Sequence, residues 1–152
     1  GMAGRGESVP MESNYCEIDE DVVDEWGIPV LKFNYKWSDY EVDQAEHMHD
    51  TFEEVIDGMG GTVLGTRPGR DKQFGLEAPG RIIHEVGTTR MGDNPKKSVT
   101  NKFSQLHDVK NVFIVDAGVF VSQADKNPTW TILALSWRAC DYIIKELKSQ
   151  NI

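Results

Sequence analysis

Three segments of the sequence carry side chains that could act together on a small ligand. His84 opens the stretch His84-Glu-Val-Gly-Thr-Thr-Arg-Met-Gly92, Asp116 ends the apolar run Val112-Phe-Ile-Val-Asp116, and Asn127 precedes Pro-Thr at a predicted helix start. A neutral histidine accepts a hydroxyl proton at physiological pH. The start of a helix carries partial positive charge and free amides, which suit an anionic group. In combination, these residues predict proton transfer beside an anion.

Each segment also has a purely structural interpretation. A single histidine before a Gly-Thr turn is more often a structural residue than a base, and Asp116 could simply cap a turn. Asn127 and the proline after it suit any helix start, because asparagine is a good N-cap and proline costs nothing in the first turn. A hydrolase triad of Ser122, Asp116 and His84 is disfavoured, because no Gly-x-Ser-x-Gly elbow surrounds the serine.

The predicted elements that would position these residues begin with an antiparallel sheet and a helix. A short strand is predicted over Tyr15–Ile18, and alternation of apolar and polar residues predicts a half-buried strand over Val30–Trp37. The pattern Ser38-x-x-Glu41 is a capping box that opens a helix reaching about Asp57, which we expect to lie across the sheet. The Gly- and Pro-rich stretch from Thr66 to Gly80 is predicted to be a long loop.

The second half predicts a different environment. The apolar run over Val112–Asp116 favours a strand buried on both faces. Asn127 is the predicted N-cap of a last helix that reaches about Lys148 and is apolar around most of its circumference. Such a strand and helix are typical of the end of a larger α/β sheet. The predicted class is therefore α+β, with exposed apolar surface that self-association would relieve.

Composition restricts the partners. The chain has 152 residues, 39% of them hydrophobic and 27% charged, with a net charge of -9. An acidic surface repels phosphate backbones, which argues against nucleic acid. No run approaches the roughly 20 apolar residues of a membrane span. His47 and His49 would point to different sides of a helix, so no metal site is predicted. The sequence does not distinguish a cytoplasmic from a periplasmic location.

The order and spacing of three motifs resemble a known family. His-x-x-Gly-Thr-x-x-Met-Gly, a strand ending in Asp-Ala, and Asn-Pro-x-x-Thr at a helix start are similar to the C-terminal signature of glucose-methanol-choline (GMC) flavin oxidoreductases. The stretch from Asn14 to Val30 is similar to the family segment that leads into the substrate domain. The likeness covers roughly residues 13–148, is most specific from His84 to Arg138, and is nearest the bacterial sugar and gluconate dehydrogenases.

The resemblance implies an activity and a division of the chain. FAD would be the cofactor, a small alcohol or sugar the substrate, and the reaction hydride transfer from a CH–OH group to flavin. His84 would be the catalytic base and Asn127 its partner. The flavin would be contacted by Asp116, Ala117, Asn127, Pro128 and Thr129. Residues 1–12 would form a flexible N-terminal segment, residues 13–148 the catalytic and substrate-binding domain, and residues 149–152 a tail.

One family element has no counterpart in this sequence. Family members hold the FAD adenosine and pyrophosphate with a Gly-x-Gly-x-x-Gly turn after a strand, whereas Gly58-Met-Gly-Gly-Thr-Val lacks the last glycine and follows a helix. The resemblance therefore predicts a domain or truncated product that needs an N-terminal FAD-binding domain and is inactive in isolation. The alternative is a non-catalytic fragment or accessory binding module that keeps the fold without a cofactor.

Overall fold

The computed structural model describes all 152 residues and has two strands, two long helices and two short 3₁₀ turns. The class is α+β, as predicted from the sequence. The elements are β1 (Tyr15–Val23), β2 (Pro29–Asn34), α1 (Asp39–Gly58), a 3₁₀ turn at Arg70–Gly75, a second at Ala117–Val119, and α2 (Thr129–Lys148). Neither α1 nor α2 combines the length and apolarity that a membrane-crossing helix needs.

β1 and β2 form a two-stranded antiparallel sheet with an irregularity between Ile18 and Val23. Asp24 shapes the connecting turn, since its carboxylate accepts hydrogen bonds of 2.9 Å from the backbone N–H groups of Trp26 and Ile28. The prediction that β2 is half-buried is wrong, because the side chain of Phe33 is 63% exposed. A sheet of two strands buries little unless another layer covers it, and no such layer covers this one.

α1 begins as predicted, at the capping box. The Ser38 hydroxyl accepts a hydrogen bond from the backbone N–H of Tyr40, and the Glu41 carboxylate accepts one of 2.8 Å from the backbone N–H of Ser38. The helix does not lie across the sheet. Its apolar residues Val42 and Ala45 pack instead against Phe74. Phe74 lies in the 70–75 turn, which is part of the stretch predicted to be a long loop.

Two arginines hold this loop to α1. Arg70 pairs with Asp43 at 2.7 Å, and Arg67 pairs with Asp50 at 2.5 Å while its guanidinium lies over the ring of Phe74. The pKa of each arginine is raised, first by hydrogen bonds from the guanidinium to these carboxylates. Because the loop supplies the apolar cover for α1, the sheet is left exposed.

The predicted strand over Val112–Asp116 is not formed. The segment makes one isolated bridge, between Gln105 and Phe113, and Val115 is 49% exposed. A buried strand needs backbone partners on both sides, and here only the stretch around Gln105 lies beside it. α2 packs on the same region through Tyr142, whose ring stacks on Phe103 with centroids 4.1 Å apart. The buried residues of this part of the fold are Thr100, Ser104, Gln105, Ala117, Gly118, Val119, Pro128 and Ala139.

The N-terminal segment joins the two parts of the chain. Ser8 exchanges backbone hydrogen bonds of 2.8 and 3.1 Å with Gln123, and the backbone N–H of Val9 donates to the Glu41 carboxylate at 2.9 Å. The side chain of Gln44 bonds to both the backbone N–H and the backbone oxygen of Glu7. These bonds place the segment between α1 and the loop before α2. Its flexibility stays a prediction.

Candidate functional site

His84 and Asn127 lie far apart in the sequence but line one open cavity of about 360 Å³. Their side chains meet at the guanidinium of Arg5, whose Nη1 lies 3.2 Å from Asn127 Oδ1 and 3.5 Å from His84 Nδ1. The fold therefore brings the two predicted catalytic residues together. Arg5 was not predicted, because it lies in a segment whose glycines and polar residues gave no sign of a tertiary contact.

The loop that follows His84 is held by backbone hydrogen bonds to the 117–119 turn. The N–H groups of Gly87, Thr89 and Met91 donate at 3.2, 2.9 and 3.0 Å to the carbonyl oxygens of residues 117, 118 and 119, respectively. Gly118 permits this approach, since a Cβ there would lie 2.5 Å from Thr89 Oγ1. The Gly-Thr motif after the histidine thus anchors the loop that carries it.

Asn127 does not cap α2 as predicted. Pro128 occupies the N-cap position with helical backbone angles, and no side chain caps the helix. No N–H group of the helix donates to the Asn127 carboxamide, whose Oδ1 instead accepts a hydrogen bond from Arg5. Thr129, the first residue of α2, lines the His84 cavity, so the positive end of the helix faces it.

The remaining predicted residues separate into two places. Asp116 accepts a 2.7 Å hydrogen bond from the backbone N–H of Gly118 and so caps the 117–119 turn, while Ala117 is buried within it. Neither residue lines the His84 cavity. Both belong to the turn that binds the loop after His84 through backbone hydrogen bonds. Pro128, together with Asn127, borders a neighbouring cavity of about 290 Å³. Contacts of all these residues with a flavin stay predictions.

The geometry does not support a hydrolase triad or a metal site. Ser122 borders the second cavity and makes no hydrogen bond to His84 or Asp116, so a hydrolase triad is not assembled. His49 binds the backbone oxygen of Phe74 through Nε2 at 2.8 Å, which is a structural role. No group of three or more His, Cys, Asp or Glu side chains is arranged to hold a metal ion.

Comparison with known proteins identifies the class to which this chain belongs. The GMC oxidoreductase family model matches residues 10–136, and the chain belongs to this family. It is 36% identical over 138 residues to the 2-methyl-1,2-propanediol dehydrogenase of Mycolicibacterium austroafricanum, a match that covers 91% of this chain and 24% of that protein.

Two further relatives extend the comparison. The chain is 27% identical over 137 residues to the gluconate 2-dehydrogenase flavoprotein of Pantoea cypripedii, covering 90% of this chain and 22% of that one. It is 30% identical over 142 residues to the fructose dehydrogenase large subunit of Gluconobacter japonicus, covering 93% and 24%. The chain thus spans about a quarter of the length of these relatives, and the predicted likeness to bacterial sugar and gluconate dehydrogenases is confirmed.

Proposed function

We propose that this chain is the C-terminal catalytic part of an FAD-dependent oxidoreductase that oxidises a CH–OH group of a small alcohol or sugar. The observation that supports the proposal is the meeting of His84 and Asn127 at one cavity, beside the first residue of α2. Family membership supplies the reaction class, and the cavity supplies the residues that would act on the substrate hydroxyl.

The two side chains would have different tasks. The imidazole of His84 would accept the hydroxyl proton, for which a neutral ring is suited at physiological pH. Asn127 would donate a hydrogen bond to the substrate oxygen. Its Oδ1 already accepts from Arg5, and this bond leaves the Nδ2 hydrogens directed away from Arg5 and available to a ligand.

The residues beside this cavity suit a flavin. The neighbouring 290 Å³ cavity is mainly apolar, with Phe120, Pro128 and Leu135 in its lining. Gln123 contributes a buried Oε1 that has no hydrogen-bond partner, an acceptor that a bound ring N–H would satisfy. FAD, when bound, supplies the acceptor for the hydride that leaves the substrate carbon. Asn127, Pro128 and Thr129 would hold it, and the start of α2 would favour negative charge on it.

We further propose that the rest of a longer polypeptide covers α2. Its side chains Trp130, Leu133 and Trp137 are 83%, 56% and 74% exposed, an apolar surface that is unusual for a free monomer. The FAD-binding part of the protein would pack on this surface and bring the adenosine and pyrophosphate contacts. The isolated chain would then lack most of the cofactor contacts and would be inactive.

Replacement of His84 by alanine in the longer, flavin-loaded protein tests the assigned base. We expect flavin reduction by substrate, followed anaerobically by stopped flow, to slow about 10²–10⁴-fold while flavin stays bound. The wild-type rate should fall at low pH as the base is protonated, and the variant should lose this dependence. A His84→Ala protein that reduces its flavin at near wild-type speed contradicts the proposal and leaves His84 a structural residue.

Asn127→Ala is the companion variant. It removes a hydrogen bond to the substrate oxygen but no proton acceptor, so the rate should fall less than in His84→Ala and keep its pH dependence. His107→Ala is the matched control, because this histidine bonds to Ser98 away from the cavity. Its flavin reduction should retain the wild-type pH dependence.

A further inference from the structure

The His84 cavity carries positive charge without any acidic residue in its lining. Its charged side chains are Arg5 and Arg81, and no Asp or Glu borders it. The whole chain, by contrast, has 25 acidic residues against 16 Lys and Arg. A cationic cavity in an acidic protein attracts anions and repels cations locally.

The guanidinium of Arg5 has no carboxylate partner. It contacts only the neutral oxygen of Asn127 and the ring nitrogen of His84. Arg81 is little better neutralised, since its Nε lies 3.7 Å from a Glu77 oxygen and both side chains are more than 60% exposed. Exposed pairs of this kind contribute little. Both guanidinium groups are therefore available to an anionic ligand.

The position of Arg5 also affects the assigned base. Nη1 of Arg5 lies 3.5 Å from Nδ1 of His84, so a positive charge without a carboxylate partner stands next to the proposed base. A substrate anion bound to Arg5 would therefore lie beside His84.

We propose, building on the function proposed above, that the substrate is an alcohol with a carboxylate close to the reacting carbon, as in a 2-hydroxy acid. The carboxylate binds Arg5 and Arg81, which line the same cavity as His84, and this places the neighbouring hydroxyl beside the base. The C–H bond then breaks with its electron pair passing to bound FAD, the O–H proton passes to His84, and the product is a 2-keto acid. Arg5 is thus a specificity-determining residue.

Binding of propionate, which has the carboxylate but no hydroxyl, tests the anion site without turnover. Calorimetry on the longer, oxidised flavoprotein should show that Arg5→Gln weakens propionate binding about 10- to 100-fold, as expected for loss of a hydrogen bond between charged groups. Arg81→Gln should weaken it less, and Arg5→Lys should restore part of it. Lys145→Gln removes one positive charge at the far end of α2 and should leave binding within about twofold. Absence of propionate binding in the wild type, or equal binding in Arg5→Gln, overturns the inference.

Turnover of glycerate and glycerol then assigns the role. Arg5→Gln should lower kcat/KM for glycerate about 10- to 100-fold more than it lowers kcat/KM for glycerol. Equal losses on both overturn the inference, because Arg5 would then act on the reacting oxygen. His84→Ala should keep propionate binding. If His84→Ala keeps propionate binding and full turnover, the proposed base is wrong and the anion site is supported. If His84→Ala loses turnover but propionate does not bind to the wild type, the anion site is wrong and the proposed base is supported.

Discussion

Replacing Glu41 by glutamine should destabilise the fold and loosen the segment that carries Arg5. Glu41 is only 5% exposed, and its two carboxylate oxygens accept hydrogen bonds from Val9 N–H at 2.9 Å, from Ser38 N–H at 2.8 Å and from the Ser38 hydroxyl. One side chain therefore closes the α1 capping box and holds the N-terminal segment. Glutamine keeps the size of Glu41 but has a single oxygen.

The size of the effect follows from the hydrogen bonds. The glutamine NH₂ must face the N–H of either Val9 or Ser38, and leaving a buried donor unpaired costs about 1–3 kcal/mol. Removing a negative charge from the first turn of α1 costs about a further 0.3–1 kcal/mol. We therefore expect the free energy of unfolding to fall by about 2 kcal/mol, within a range of roughly 1–4.

The effect should depend on pH with a defined sign. Burial alone would raise the pKa of Glu41, but hydrogen bonds from the Ser38 hydroxyl and from the backbone N–H groups of Val9 and Ser38 lower it on balance below its ordinary value of 4.5. A lowered pKa in the folded state means that stability is fully present above the unfolded pKa and is lost as the pH falls through the folded value. The difference between wild type and Glu41→Gln should be constant near neutrality and shrink below pH 4.5.

Denaturant unfolding followed by circular dichroism from neutral to acidic pH measures this difference. Glu54→Gln is the matched control, since that side chain is exposed on α1 and makes no ion pair. It should change stability by less than about 0.5 kcal/mol. If Glu41→Gln is no less stable than Glu54→Gln, or if its deficit persists unchanged in acid, the role assigned to the carboxylate is wrong.

Three other perturbations follow from the same structure. Gly118→Ala should destabilise by about 1–3 kcal/mol in denaturant unfolding, because the new Cβ would meet Thr89 Oγ1 at 2.5 Å, whereas Gly58→Ala, with open space around it, should be neutral or stabilising. Tyr142→Leu removes a stacked ring pair and should lower the thermal midpoint through a loss of about 0.5–1.5 kcal/mol; an unchanged midpoint would contradict the assigned packing. The isolated chain should self-associate through α2 in light scattering, and Trp137→Gln should shift it toward the monomer; a monodisperse wild-type monomer would count against the exposed surface.

Interactions between residues close in sequence were predictable. The capping box of α1 lies within four residues, so Ser38 and Glu41 could be assigned from spacing alone. The apolar content of α2 also depends on neighbouring residues, and this helix was expected near its observed place. The order of motifs around His84 and Asn127 was sufficient to indicate the family, because a family signature consists of residue types at fixed spacings in the sequence.

Contacts between distant segments were not predictable, because they depend on which surface each segment finds. Phe74 packs on the face of α1 that was expected to lie against the sheet. The segment Val112–Asp116 has the composition of a buried strand but lacks the neighbouring strands that a buried strand needs. Nothing in the residues around Arg5 specifies a contact with His84 and Asn127. That contact arises because Glu41 and Gln123 hold the N-terminal segment across the site, and only the tertiary structure places a positive charge there.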